Sequence, residues 1–413
     1  MKKIIALTLC VLMIVSCFVG CGKQEASGPD LVVWTAYEVG TPTYDVAEEA
    51  INAFREKTGA NIEVKHYGRD LSTLLGTALD AGERVDVFCV GSNLALRAEF
   101  DHTLDLTKYV TESDVLDRAY PICMDIIKGE SANDDEYHAI PTISSFNAFW
   151  YNAAAFEKAG IEKNPETIEE FEAVCDALVA AGYAPISLDA AYATATFGAL
   201  VERMVGTEDG TALAKNGGFS KNEKFVEACQ KIIEWRNKGY FDPTAPGEWP
   251  ASQNKIGLTE ECVMVYTGMW ASGEIEKMTG ADLEWGSFKF PYDPEGNGTY
   301  GIPVSSTCHC INVDCEDPDL AWEYVYYMNT GEVNKAITDA DVYLVDDRTQ
   351  EPLPQFADTK VIMENTTEVT HYAGGLTENA DIKTVMADVI VQLFSGAFAT
   401  GEEAAAAFDA LFV

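Results

Sequence analysis

The sequence predicts an α/β chain folded as two packed units, each a mostly parallel sheet covered by helices, with chain segments crossing between them. Three observations lead there. A chain of 413 residues exceeds what one small hydrophobic core organises. From Leu31 to Val90, apolar strand-like runs alternate with amphipathic helix patterns, as strand–helix–strand units do. Finally, Tyr137 to Ile186 holds an apolar run halted at Pro141, suited to a strand leaving a sheet, followed closely by a new helix.

Taken in order, Lys2-Lys3 and the apolar run Ile4–Val15 read as a secretory signal peptide over residues 1–20. The run is too short to span ~30 Å of hydrocarbon. Phe18-Val19-Gly20-Cys21 resembles a lipobox, with Phe18 where leucine is usual, so Cys21 is the expected lipid anchor. Ile14-Val15-Ser16-Cys17 competes with it, and ordinary cleavage is the third possibility. Residues 21–30 then form a polar tether. Leu31–Trp34 is a first strand. Thr41-Pro42 opens a helix whose stripe is Val46, Ala47, Ala50, Ile51 and Phe54, closed by Gly59. Asn61–Lys65 and Val85–Val90 are strands on either side of a helix over Leu71–Ala81.

In the helix that starts after Pro165, Thr167 and Glu170 form a capping box, and Ile168, Phe171, Val174, Cys175 and Leu178 recur at helical spacing up to Gly182. Glu223–Lys238 repeats the pattern with Phe225, Val226, Cys229, Ile232 and Ile233. Cys262–Tyr266 is a strand running into Thr267-Gly268-Met269-Trp270. Gly286–Pro291 suits a second crossing, Tyr300–Val313 a loop and strand, and Asp317-Pro318 caps a helix to Met328. Ile382–Leu393 and Glu402–Leu411 are late helices. The expected units are residues 31–140 with 289–328, and 141–288 with 329–413.

Composition narrows the function. A formal charge of −39 argues against nucleic acid, whose phosphates need a basic face, and against docking on anionic lipid. Eleven cysteines in an exported chain invite disulfides. Cys175 and Cys229 nevertheless fall on apolar helix faces, and Cys89 and Cys262 in apolar strands, where cysteine acts as a small hydrophobe. Mostly buried free thiols are expected. In Cys308-His309-Cys310, strand alternation turns the thiols to one face and the imidazole to the other, which favours a core strand over a metal site. No cofactor and no metal are expected.

Ile140-Pro141, Tyr151-Asn152, Phe156, Lys158-Ala159-Gly160-Ile161, Pro165, Thr167–Phe171 and Gly182-Tyr183-Ala184-Pro185-Ile186 together resemble the crossing segment of extracellular solute-binding proteins of carbohydrate ABC transporters. Ile168 stands where tryptophan is common there, and Glu261-Cys262 where glycine-lysine is frequent. The stretches FREKTGANIEV (54–64), LDAGERVDVF (79–88) and DPDLAWEYVYYM (317–328) extend the resemblance over most of the mature chain, weakly at 187–222 and 340–380. It implies a two-lobed, type II periplasmic-binding-protein-like clamp that captures a sugar or oligosaccharide by hinge closure. It also implies permease subunits as partners, a membrane contact through the lipid anchor only, and a monomer.

Ligands of open α/β sheets bind beyond the carboxyl ends of strands. That rule nominates Thr35–Gly40, Gly91–Asn93, Thr142–Phe146 and Thr267–Trp270. Sugars suit aromatic faces and hydroxyl-accepting polar groups. Trp270 is the expected stacking platform, and Trp249 in its turn-rich loop a second ring. Tyr37, Glu38, Ser92, Asn93, Ser144, Ser145, Asp189 and Ser305 are candidate contacts, with Tyr372 on a late loop before Gly374-Gly375. A secreted glycoside hydrolase is the rival reading, and a peptide or polyamine the rival ligand. H-E-x-x-H, G-x-S-x-G and P-loop motifs are absent from the sequence.

Overall fold

The computed structural model describes residues 28–412 apart from 132, 134 and 341, so the signal peptide, Cys17, Cys21 and most of the tether lie outside the described residues. Among the described residues nine strands make two sheets. The first, in the order β2-β1-β3-β9-β4, joins β1 (Leu31–Thr35), β2 (Ile62–His66), β3 (Val87–Gly91), β4 (Ile140–Ser145) and β9 (Ser305–Ile311). The second, in the order β6-β7-β5-β8, joins β5 (Ala148–Asn152), β6 (Ala184–Ile186), β7 (Cys262–Thr267) and β8 (Trp285–Phe288).

Both sheets are mixed, which corrects the mostly parallel expectation. β1 pairs in parallel with β2 and β3, and β6 with β7. The pairings of β9 with β3 and β4, and of β5 with β7 and β8, are antiparallel. The reason is topological: a strand that enters a sheet from the other unit, rather than through a helix packed on the same sheet, is free to run the opposite way.

Local signals formed the helices. In Pro42–Thr58 the Thr41 hydroxyl accepts from the Tyr44 amide, Pro42 starts the first turn, and Gly59 closes it at φ 73°. In Ile168–Ala180 the Thr167–Glu170 capping box is closed in both directions. Among the described residues no helix is long and apolar enough to cross a membrane.

The first sheet buries both faces, one against Pro42–Thr58 and Pro318–Asn329, the other against Leu71–Asp80. The second sheet packs one face on Ile168–Ala180, Ala190–Met204, Glu223–Asn237 and the late helices. A fourth cluster bridges the units: Ile122, Cys123 and Ile126 from the first, Trp150, Val265, Met269 and Trp285 from the second, with Ile302, Val304, Leu344 and Phe356 between them.

Three segments connect the units. β4 stays in the first sheet through Ser145 and β5 begins at Ala148, so only Phe146-Asn147 separate them. The expected boundary after residue 140 therefore falls inside a strand. The second crossing runs from β8 to β9. The third follows Gly331–Ala340, which packs on Pro42–Thr58 rather than on the second sheet, and leads to Ala357–Asn365 against β8.

Arg203, buried in the helix Ala190–Met204, holds the second crossing. Its Nη1 donates to the Thr299 carbonyl at 2.7 Å, its Nη2 to Gly301 at 2.8 Å and Phe290 at 3.2 Å, and its Nε to Phe290 at 3.2 Å. The third crossing carries a different buried charge. The Asp346 carboxylate lies beside the Ser144 amide and hydroxyl without closing a hydrogen bond, and burial pushes its pKa up to about 7.

Two outcomes are expected. Arg203→Ala leaves three carbonyls facing an empty, dry space and lowers unfolding free energy by about 3 kcal/mol or more, measurable by urea titration. Because folding raises the Asp346 pKa above its unfolded value, the native state holds a proton the unfolded chain releases between about pH 4 and pH 7. That contribution is present at acid pH and lost as pH rises through about 7. Asp346→Asn removes this loss, so its melting temperature should exceed wild type at pH 8 and match it near pH 4.

Candidate ligand-binding site

Strand registers show where the sheets turn their ends. Ser144 and Ser145 pair with Ser306 and Ser305, and Gly91 with Thr307, so the carboxyl ends of β3 and β4 meet the start of β9. β1, parallel to β3, ends on the same side. In the second sheet Ala148 pairs with Thr267 and Phe149 with Phe288, which sets the carboxyl ends of β7 and β8 at the start of β5. With two residues between Ser145 and Ala148, both sets of ends address one junction. By the strand-end rule, that junction is the candidate site.

The second unit brings aromatic rings to it. Trp270, three residues after β7, is half-buried, and its ring packs against Gly268: a Cβ there would sit 2.1 Å from the ring carbon Cζ3. Only glycine lets the indole take that place. The indole N–H donates to the Tyr192 hydroxyl at 3.3 Å, with ring centroids 6.5 Å apart. Tyr372 is 50 % exposed, and partial burial with the neighbouring Tyr192 phenol holds its own phenol above the ordinary value. Its loop reaches this place through close backbone packing. Ala373, Gly374 and Gly375 are all left-handed, and Gly198 leaves no room for a Cβ, which would lie 2.2 Å from the Ala373 Cα. Tyr192 was missed in the sequence, where it sits in the alanine-rich start of a helix within the stretch 187–222.

The first unit brings short polar groups. Glu38 and Asn93 are exposed beyond β1 and β3, and Asn93 Oδ1 accepts from the Leu94 amide at 2.9 Å. Ser305 is exposed and donates to the Ser145 carbonyl at 3.4 Å, while Ser145 itself is half-buried.

Four nominated residues are placed elsewhere. Tyr37 turns into the core beside Leu31, Ala47 and Ile51. Ser92 is buried, and the buried Ser144 shares a hydrogen bond with Ser306, Oγ to Oγ at 2.9 Å. Asp189 is fully enclosed under the loop 247–253: its carboxylate lies near the Ser252 and Gln253 amides and the Ser252 hydroxyl without closing a bond. Burial pushes its pKa up to about 6. A loop that folds back on a strand end hides the residue there, which sequence position alone does not show. Trp249, in that same loop, is 45 % exposed.

Cys308 and Cys310 share a face, Sγ to Sγ at 4.0 Å, and His309 points oppositely to the Thr142 hydroxyl at 2.8 Å and the Asn329 side chain. Burial lowers the His309 pKa to about 4. All eight described cysteines are free thiols, seven of them buried and Cys315 half-buried. A groove of about 730 Å³ lies away from the junction, between Ile168–Ala180 and Glu223–Asn237, walled by Glu172, Glu227, Lys231 and Glu234. Lys231 pairs with Glu172 across it at 2.8 Å, a solvated charged face rather than a ligand seat.

The fold matches solved structures over nearly its full length. A "probable secreted solute-binding lipoprotein" from Streptomyces coelicolor superposes with a TM-score of 0.73 at 17% identity, covering 94% of this chain and 99% of that one. RafE from Streptococcus pneumoniae in its apo form gives 0.69 at 18% identity, over 94% and 100%. A chitin oligosaccharide binding protein gives 0.65 at 18%, over 92% and 98%. No curated protein matches. The sequence profile of bacterial extracellular solute-binding proteins matches residues 39–335, well over half of the chain, which takes in every strand of the first sheet except β1 and all of the second sheet. The chain belongs to the bacterial extracellular solute-binding protein family, with the α/β fold of the type II periplasmic binding proteins.

Proposed function

We propose that this protein captures a sugar or oligosaccharide at the junction and delivers it to the permease of an ABC importer. The reading rests above all on the pairing of an aromatic wall with a polar one. Trp270, Tyr192 and Tyr372 offer ring faces from the second unit, and Glu38, Asn93, Ser145 and Ser305 offer acceptors and donors from the first. A pyranose has both an apolar face and a rim of hydroxyls, so it can engage the two walls at once. A ligand that touches both units favours the approach of one toward the other, and only such differential affinity shifts the equilibrium to a closed form. The name of the chitin oligosaccharide binding protein agrees with a carbohydrate ligand. Cys21 is proposed as a diacylated anchor that keeps the receptor, acting as a monomer, on the outer face of the cell membrane. Binding without bond breaking is the whole of the proposed chemistry.

The test is thermal unfolding of the chain from Lys23 onward against panels of mono- and oligosaccharides, peptides and polyamines. A cognate glycan at a hundred times its dissociation constant adds about 2.7 kcal/mol, a shift of a few degrees. Trp270→Ala should abolish that shift. Gly268→Ala, which expels the ring without deleting it, should weaken it at least tenfold in affinity. A response to a peptide or polyamine alone would discard the sugar, and hydrolysed glycan after incubation would discard the receptor.

A further inference from the structure

We propose that the first unit carries a divalent-cation site built from Asp105, Glu136 and His138, with Zn²⁺ the best match to its donors. One ligand atom from each lies within 4.8 Å of the others. Tautomer geometry carries the argument. The Thr103 hydroxyl gives its hydrogen to the Phe100 carbonyl at 2.7 Å, so it meets His138 Nδ1, 2.9 Å away, as an acceptor. The Thr103 carbonyl, another acceptor, is 3.2 Å from the same nitrogen. Nδ1 therefore bears the ring proton. In the neutral imidazole that leaves a lone pair on Nε2, and Nε2 lies 2.9 Å from Glu136 Oε2. In that neutral tautomer two acceptors face each other, on a residue only 5 % exposed, whereas a second ring proton would make the contact an ion pair.

A cation between them removes the conflict. A metal-bound histidine typically donates its other N–H to a carbonyl, which fixes ring orientation and basicity, and Thr103 supplies that carbonyl. The Phe100 ring, centroid to centroid at 4.5 Å, holds the imidazole from the side. Asp105 Oδ1 accepts from the Thr107 amide at 2.8 Å, which leaves its second oxygen for the ion. One imidazole and two carboxylates, with water as the fourth ligand, suit Zn²⁺. Ca²⁺ and Mg²⁺ prefer oxygen alone.

The location gives the site a role separate from ligand capture. Leu104 donates to the Ile311 carbonyl at 2.8 Å and Leu106 to that of Tyr137 at 2.7 Å, so the three residues sit where β9 ends and β4 begins. That is the edge of the sheet opposite the junction. A cation there ties the 103–107 loop to the 136–138 segment and stabilises the first unit.

Chelator-treated mature chain titrated with ZnCl₂ at pH 7 should take up one equivalent, by calorimetry and metal analysis, with a rise in melting temperature. Glu136→Gln and Asp105→Asn, both outside the buried core and checked for folding by circular dichroism, should weaken uptake by roughly 10–100-fold or more. With only five histidines, selective ¹⁵N labelling resolves the His138 ring, whose Nε2 resonance should move on Zn²⁺ addition. Absence of uptake would overturn the proposal, as would uptake indifferent to both variants, which would assign the metal to thiols. So would a His138 ring that stays protonated on both nitrogens at saturating Zn²⁺, since a second proton would then resolve the conflict. A response to CaCl₂ but not ZnCl₂ would overturn the nitrogen-donor assignment.

Discussion

A buried guanidinium with no carboxylate in contact holds the second crossing. Arg203 sends its hydrogen bonds to three backbone carbonyls, while the carboxylate of its neighbour Glu202 is engaged by the Thr207 hydroxyl. A charge removed from water is tolerated only where preorganised dipoles replace hydration. Here those dipoles belong to the segment that leaves β8 for the first sheet. The helix Ala190–Met204 thus does two things at once: its amino end presents Tyr192, and its carboxyl end fixes the return path of the chain. Position of the ring wall and position of the crossing are coupled through one rigid element.

The same economy governs the rest of the junction. Loop 372–375 lies backbone to backbone on that helix because Gly198 has no side chain, and this brings Tyr372 to Tyr192. Gly268 lets the Trp270 ring pack against the chain that precedes it. Each aromatic group is braced on one side by packing that leaves no slack, the condition for a stacking surface that loses little freedom on binding. Behind the junction, the shared cluster around Trp150, Met269 and Phe356 makes the two units one continuous apolar body, so their connection is more than three strands of chain.

Charge is distributed to match. With a net charge of −39 the surface repels other acidic macromolecules, yet the carboxylates of Asp189 and Asp346 are kept inside, where burial favours their protonated forms. Neither faces the junction openly. The acceptors proposed to meet a ligand come from segments at the ends of β1, β3, β4 and β9 that face the junction. The proposed cation lies at the far end of the same sheet, where Glu136 and Asp105 would be neutralised without altering the proposed ligand wall.

The sequence by itself determined the elements. Thr41-Pro42 and Gly59, the Thr167–Glu170 box, and the apolar stripes of Glu223–Asn237 and Pro318–Asn329 are local signals, formed within a turn or two of chain, and each appears as read. The alternation of Cys308, His309 and Cys310 is equally local, and the core strand follows. Placing Trp270 at a strand end required only the strand. Tertiary structure decided the rest, because it depends on contacts between residues far apart in the chain. Sheet direction was set by the crossings, so both sheets became mixed. Tyr37 and Asp189 occupy strand ends as expected, but packing against Ala47 and the 247–253 loop encloses them. Tyr192 joined the ring wall through Trp270, 78 residues away. Asp105, Glu136 and His138 have no motif spacing between them; only the pairing of loop 103–107 with the approach to β4 brings one nitrogen and two carboxylates to a common point.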